Sequence, residues 1–147
     1  MQRIIHTIDL AAPPEAVFDF VTNPAQWVRW HPATHSVRGV EDRPLKLGET
    51  VIEHIRAAHR EFDATWTVVA CEPPVLWQLE TSTPLGASVL TYRLEEKPGG
   101  GTWFQRTCDF RSEGVWKLLD SNVTKWMLAA QAKNALANLR RELSPRA

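Results

Sequence analysis

Little in this chain marks it for export, for a membrane or for a metal. Cysteine occurs twice in 147 residues, as Cys71 and Cys108. With no CxxC spacing they read as reduced thiols filling core space. A disulfide between them stays open, but no export signal favours one. The first ten residues carry Arg3, His6 and Asp9, unlike the unbroken apolar core of a signal peptide. No run approaches the ~20 apolar residues of a membrane span. Charge of one sign is also missing, since 17 basic residues balance 17 acidic ones. No global field therefore recruits nucleic acid or an anionic membrane. The expectation is a cytoplasmic protein with no nucleic-acid partner and no stable membrane insertion.

Catalytic signatures are equally scarce. There is no GxSxG, HExxH, GxGxxG or GxxxxGK[ST] motif. Gly99-Gly100-Gly101 follows Pro98 between two strand-like stretches, so it reads as a hairpin turn and not as a phosphate cradle. His54 and His59 would fall across a turn with no cysteine nearby in sequence, a weak metal arrangement. No metal and no cofactor are expected.

What the chain has in excess is tryptophan, seven in all. Each brings a large apolar surface and one N–H donor that needs a partner when buried. So many in one small domain, residues 1–147, suggest a bulky core or an aromatic-lined cavity.

Hydrophobic periodicity places the elements. Residues 3–10 alternate as a strand, with Ile4, His6, Ile8 and Leu10 on one face. Ala11-Ala12-Pro13-Pro14 stops it. Pro14 or Glu15 can open a helix, and Val17, Phe18 and Val21 carry it at helical spacing. Asn23-Pro24 breaks that helix, and a second short one holds Trp27 and Trp30. Strands are then predicted over 36–41, 49–56, 61–70, 75–81, 88–95 and 102–110, separated by Pro and Gly turns. The chain closes on a run without proline or interior glycine, Val115 to Leu143, ended by Ser144-Pro145. At ~1.5 Å per residue this helix would be roughly 40 Å long.

The fold class is thus α+β: seven antiparallel strands, two short helices after the first, and one long C-terminal helix covering one face. One helix cannot fill the concave side of a strongly twisted sheet. A residual cleft between sheet and helix is expected there. Along the helix, an apolar stripe of Val115, Leu119, Val123, Trp126, Met127 and Ala130 gives way to another of Leu128, Ala132, Leu136, Leu139 and Leu143. Drift of a 3.6-residue period is too slow for that rotation. The C-terminal half is predicted to anchor on the sheet, and the half with Trp116 and Trp126 to act as a movable wall.

Several motifs carry a resemblance along nearly the full length. They are the Pro13-Pro14-Glu15-Ala16-Val17-Phe18 opening, Trp27-x-x-Trp30-His31-Pro32, the Cys71-Glu72-Pro73-Pro74 turn before Val75-Leu76-Trp77, and the close from Ala135 to Leu143. Together they resemble the START/Bet v 1-like superfamily, in its polyketide cyclase/dehydratase and lipid-transport (SRPBCC) branch. The resemblance implies a helix-grip fold with a hydrophobic cavity and a lipid-, polyketide- or quinone-like ligand. It implies no shared catalytic signature.

Six residues are expected to line that cavity by strand parity and bulk: Trp30, Trp66, Tyr92, Phe104, Arg106 and Trp126. Arg106 shares its face with Phe104, Cys108 and Phe110. It either points inward, to pair with Glu80 or with a ligand carboxylate or phenolate, or it snorkels to water. Gln78 and Tyr92 are single polar groups on neighbouring strands. His31 reads chiefly as a turn residue before Pro32. Glu53, His54, Arg56, His59, Arg60, Glu61 and Asp63 read chiefly as a solvated, charge-rich hairpin, with a polar constellation at a pocket mouth as the alternative. No diagnostic acid–base pair stands out, so catalytic residues are not assigned. The residues leave three roles open: a carrier of a hydrophobic or amphipathic small molecule, a cyclase/dehydratase-type enzyme acting on one, or a protein-interaction module of co-chaperone or ribosome-associated type. A homodimer through an edge strand stays open as well.

Overall fold

The computed structural model describes residues 2–57, 60–83, 86–112 and 121–144, except for the side chains of 57, 60, 112 and 121–128. Strand β1 (Gln2–Leu10) buries Ile4 and Leu10 and exposes the odd-numbered side chains between them. Helix α1 (Pro14–Val21) starts on a proline, whose missing N–H costs nothing in a first turn, and buries Val17, Phe18 and Val21. The Thr22 hydroxyl closes it by donating to the Phe18 carbonyl at 2.7 Å. A single 3-10 turn (Pro24–Gln26), capped by the Asn23 side chain, leads into α2 (Trp27–Trp30). Pro32 restricts His31 to extended backbone, and α2 ends there at φ −98°.

Six strands follow: β2 (Thr34–Arg38), β3 (Thr50–Ala57), β4 (Arg60–Glu72), β5 (Leu76–Thr83), β6 (Gly86–Glu96) and β7 (Thr102–Ser112). Strand β2 stops short of the expected 36–41 because Gly39 takes φ +77°, outside strand geometry. All pairings are antiparallel, in the order β1-β7-β6-β5-β4-β3-β2. The first strand therefore lies beside the last. Between β6 and β7 the turn uses φ +96° at Gly99 and +94° at Gly100. Gly101 is needed for a different reason: a Cβ there would lie 2.6 Å from the Leu10 carbonyl oxygen.

Helix α3 (Ser121–Glu142) is continuous and packs on β1 and α2. Its C-terminal half buries Ala132, Ala135, Leu136 and Leu139, as the anchoring half was expected to do. Polar ties hold it in place. Asn138 Nδ2 donates to the Trp30 carbonyl at 3.2 Å, Arg29 pairs with Glu142 at 3.0 Å, and Arg140 Nη2 donates to the Asp9 carbonyl at 3.1 Å. Ala130, the last member of the expected N-terminal stripe, is exposed. The side chain of Trp126, and Val115, Trp116 and Leu119 altogether, lie outside the described residues, as does the expectation of a movable wall. Among the described residues no helix is long and apolar enough to cross a membrane.

Candidate ligand-binding site

Register determines which side chains share the inner face. His6 lies opposite Arg106, Arg106 opposite Tyr92, and Tyr92 opposite Trp77, so four strands contribute one transverse row. Trp77, Tyr92 and Phe104 are at most 1% exposed and pack ring to ring, with centroids 5.5 Å and 5.1 Å apart. Trp30 joins them from α2 at 6.2 Å from Tyr92. This end of the interior, under α1 and α2, is filled. Farther along the same face His6, Arg106 and Cys108 keep part of their surface exposed. The inner face is therefore sealed at one end and accessible around Arg106.

Arg106 points inward. Its Nη2 lies 3.0 Å from His31 Nε2. A guanidinium has only donors, so Nε2 must accept and the proton of a neutral imidazole sits on Nδ1. Burial, then the charge of Arg106, pushes His31 down to about 3, which keeps the ring neutral. Tyr92 also engages Arg106, and burial raises its phenol well above the usual range despite that cation. Glu80, the acidic partner considered for Arg106, is exposed on β5. Gln78 lies on the opposite face from Tyr92 and donates to Thr91 Oγ1 at 2.9 Å. Asp109 is likewise on the outer face, paired with Arg3 at 2.6 Å.

A second polar group sits on the inner face at β3. Glu53 is 5% exposed. One of its oxygens accepts from Trp66 Nε1 at 3.0 Å and the other meets the Thr34 hydroxyl. Burial raises its pKa, while the two hydrogen bonds and the charge of Arg106 act against that shift. Sequence reasoning grouped Glu53 with the solvated hairpin and so missed it. The available signal was local: Val51 and Ile55 flank it at the spacing that marks one strand face. His54, Arg56, Glu61 and Asp63 of that hairpin are outward, as expected. His54 Nδ1 meets Asp63 at 2.8 Å and Arg56 pairs with Glu61 at 2.5 Å, with both acids exposed. His59 and the side chain of Arg60 lie outside the described residues. Among the described residues no cluster of His, Cys, Asp and Glu could hold a metal ion, and Cys71 and Cys108 are free thiols.

Of the expected lining residues, Trp30, Tyr92, Phe104 and Arg106 come together, whereas Trp66 is tied to Glu53, which acts on Arg106 and Tyr92 only through space. His31 was read as a turn residue, yet it bridges α2 to β7. The tryptophans differ in one respect. Trp27 Nε1 donates to the Val21 carbonyl, Trp66 to Glu53 and Trp77 to the Leu45 carbonyl. Trp30 Nε1 is buried with no partner among the described residues.

Known proteins share this framework. An uncharacterised protein of Mycobacterium tuberculosis is 29% identical over 105 residues, which is 65% of this chain; the chain spans 58% of that relative's length. A START superfamily protein from Mycobacterium smegmatis superposes with a TM-score of 0.78 at 11% identity, covering 96% of each chain. The di-domain ARO/CYC BexL from the BE-7585A biosynthetic pathway gives 0.74 at 19% identity, with 99% of this chain matching 51% of that one. At such identities the structural likeness establishes the helix-grip fold alone. The sequence model for polyketide cyclase/dehydrase and lipid transport matches residues 1–144. By that match, over a fold with the same sheet, short helices and closing helix, the chain belongs to the polyketide cyclase/dehydrase and lipid transport family.

Proposed function

We propose that residues 1–147 form a single cavity domain that binds a hydrophobic or amphipathic small molecule, lipid-, polyketide- or quinone-like, between the inner face of the sheet and α3. The observation that supports this is a graded inner face. It is packed and aromatic at the α1–α2 end, where Tyr92 and His31 meet Arg106, and beyond that His6, Arg106 and Cys108 are still partly open. Apolar burial, at about 25 cal/mol per Å², would supply most of the affinity, and the polar groups would fix orientation. Trp30, Trp66, Tyr92, Phe104 and Arg106 are the lining assigned to it, with Trp126 added on its sequence position.

Native mass spectrometry of the freshly purified full chain tests this. The expected result is a small-molecule adduct that is lost on denaturation. Apo protein alone, together with no uptake of long-chain acids, quinones or aromatic probes, would sink the reading. A cyclase- or dehydratase-type enzyme is the second reading, supported by the Tyr92 phenol held against a guanidinium. That contact can move or stabilise a proton on a bound polyketone. Under that reading Tyr92→Phe abolishes turnover and leaves binding within a few-fold, whereas a carrier has no turnover to lose.

A further inference from the structure

Three buried donors lie at the junction of α2 with β7. They are Arg106 Nε, Trp30 Nε1 and His31 Nδ1, and none has a hydrogen-bond partner among the described residues. Each is a donor by necessity. An indole nitrogen and a guanidinium nitrogen only donate, and His31 Nδ1 carries its proton because Nε2 accepts from Arg106. The three side chains are contiguous: Trp30 and His31 are sequence neighbours with ring centroids 5.7 Å apart, and His31 touches Arg106.

The charge at this junction is equally lopsided. No carboxylate among the described residues hydrogen-bonds Arg106. Glu53 acts on it only through space, with both its oxygens already engaged by Thr34 and Trp66. The facing groups are His31, Tyr92, His6 and Cys108, and Lys133 on α3 adds its charge to that of Arg106 at His6. A buried donor without an acceptor is costly, and a half-buried cation with no hydrogen-bonded anion adds to that cost. The missing complement is an acceptor-rich group bearing negative charge.

We propose that the ligand is an oxyanion, with a carboxylate, enolate or phenolate head group that accepts from Arg106 Nε and Trp30 Nε1 while its apolar body lies along the inner face; His31 Nδ1, on the far side of its ring from Arg106, stays outside that contact. This inference rests on the small-molecule reading above and names the chemical class of the ligand. Both nitrogens are closed to water, so the head group reaches them as neighbouring side chains yield. Its arrival turns an unsatisfied cluster into a charge-assisted one.

The test uses two fluorescent probes of one skeleton, 8-anilinonaphthalene-1-sulfonate and the uncharged N-phenyl-1-naphthylamine. Both are titrated into the full chain at low and at high salt. The wild type is expected to hold the sulfonate about tenfold tighter or more, the return on one charge-assisted hydrogen bond. The preference persists in high salt because a buried pair is poorly screened. Arg106→Gln brings the two affinities together by weakening only the sulfonate, and Trp30→Phe does so in part. Circular dichroism confirms that each variant is folded, and the wild-type comparison needs no variant. Equal affinities in the wild type, or a preference untouched by both folded variants, would overturn the oxyanion and leave the apolar site standing. Binding of neither probe would overturn the oxyanion and the small-molecule site together.

Discussion

Glu53 is the side chain whose surroundings differ most from its residue type. Burial favours its protonated form, so the folded chain retains a proton that the unfolded chain releases above the ordinary value of 4.5. The sign follows from linkage. The stabilisation is complete below 4.5 and is lost as pH rises through the raised value. Urea unfolding between pH 4 and 8 should therefore show wild-type stability falling with pH relative to Glu53→Gln, which carries no ionisable group. A parallel pair of curves would refute this. Glu53→Ala strands the Thr34 hydroxyl and the Trp66 N–H, at about 1–3 kcal/mol at any pH in that range. Because Glu53 and Arg106 sense each other, ionising Glu53 should also compensate the cation and weaken an anionic probe. The other groups facing that pair are His31, His6, Tyr92, Cys108 and Lys133.

Among the elements, the β6–β7 hairpin shows how closely two strands can constrain a third. Gly101→Ala would drive a Cβ into the Leu10 carbonyl of β1, and both partners there are backbone. It should cost about 1–3 kcal/mol in chemical denaturation. An unchanged midpoint would mean that β1 can slide away. This hairpin was plain in the sequence, because Pro98-Gly99-Gly100-Gly101 punctuates two alternating runs. Strand parity likewise puts Phe104 and Arg106 on one face of β7, though it does not say which way that face turns. Parity could not reveal what Arg106 meets, since His31 reaches it from α2 across 75 residues. Nor could it expose the Glu53–Thr34 contact, which crosses the irregular register between Thr34 and Ser36. Local patterns determine faces and turns, whereas long-range contacts depend on how α2 and β2 are carried over the sheet. The helix stripe illustrates the same division. Ala132, Leu136 and Leu139 were readable from spacing, but the hydrogen bond from Asn138 to the Trp30 carbonyl was not.

Taken whole, the molecule is a sheet with α2 and the C-terminal half of α3 closing one end, and its polar interior lies where β1, β6, β7 and α2 converge. Apart from the β6–β7 hairpin, the members of that convergence come from different stretches of chain. The pairing of β1 with β7, which joins Gln2 to Phe110, carries a consequence for synthesis. A ribosome releases β1 about a hundred residues before its partner strand exists. Until then its apolar side chains, Ile4, Ile8 and Leu10, have no β7 to pair beside. Closing so long a loop is entropically expensive, which places the chain among slow, high-contact-order folders, in milliseconds to seconds. Stopped-flow refolding followed by tryptophan fluorescence should show that range, and microsecond folding would contradict it. The same strand that supplies His6 to the inner face is therefore the one most dependent on protection while the chain is being made.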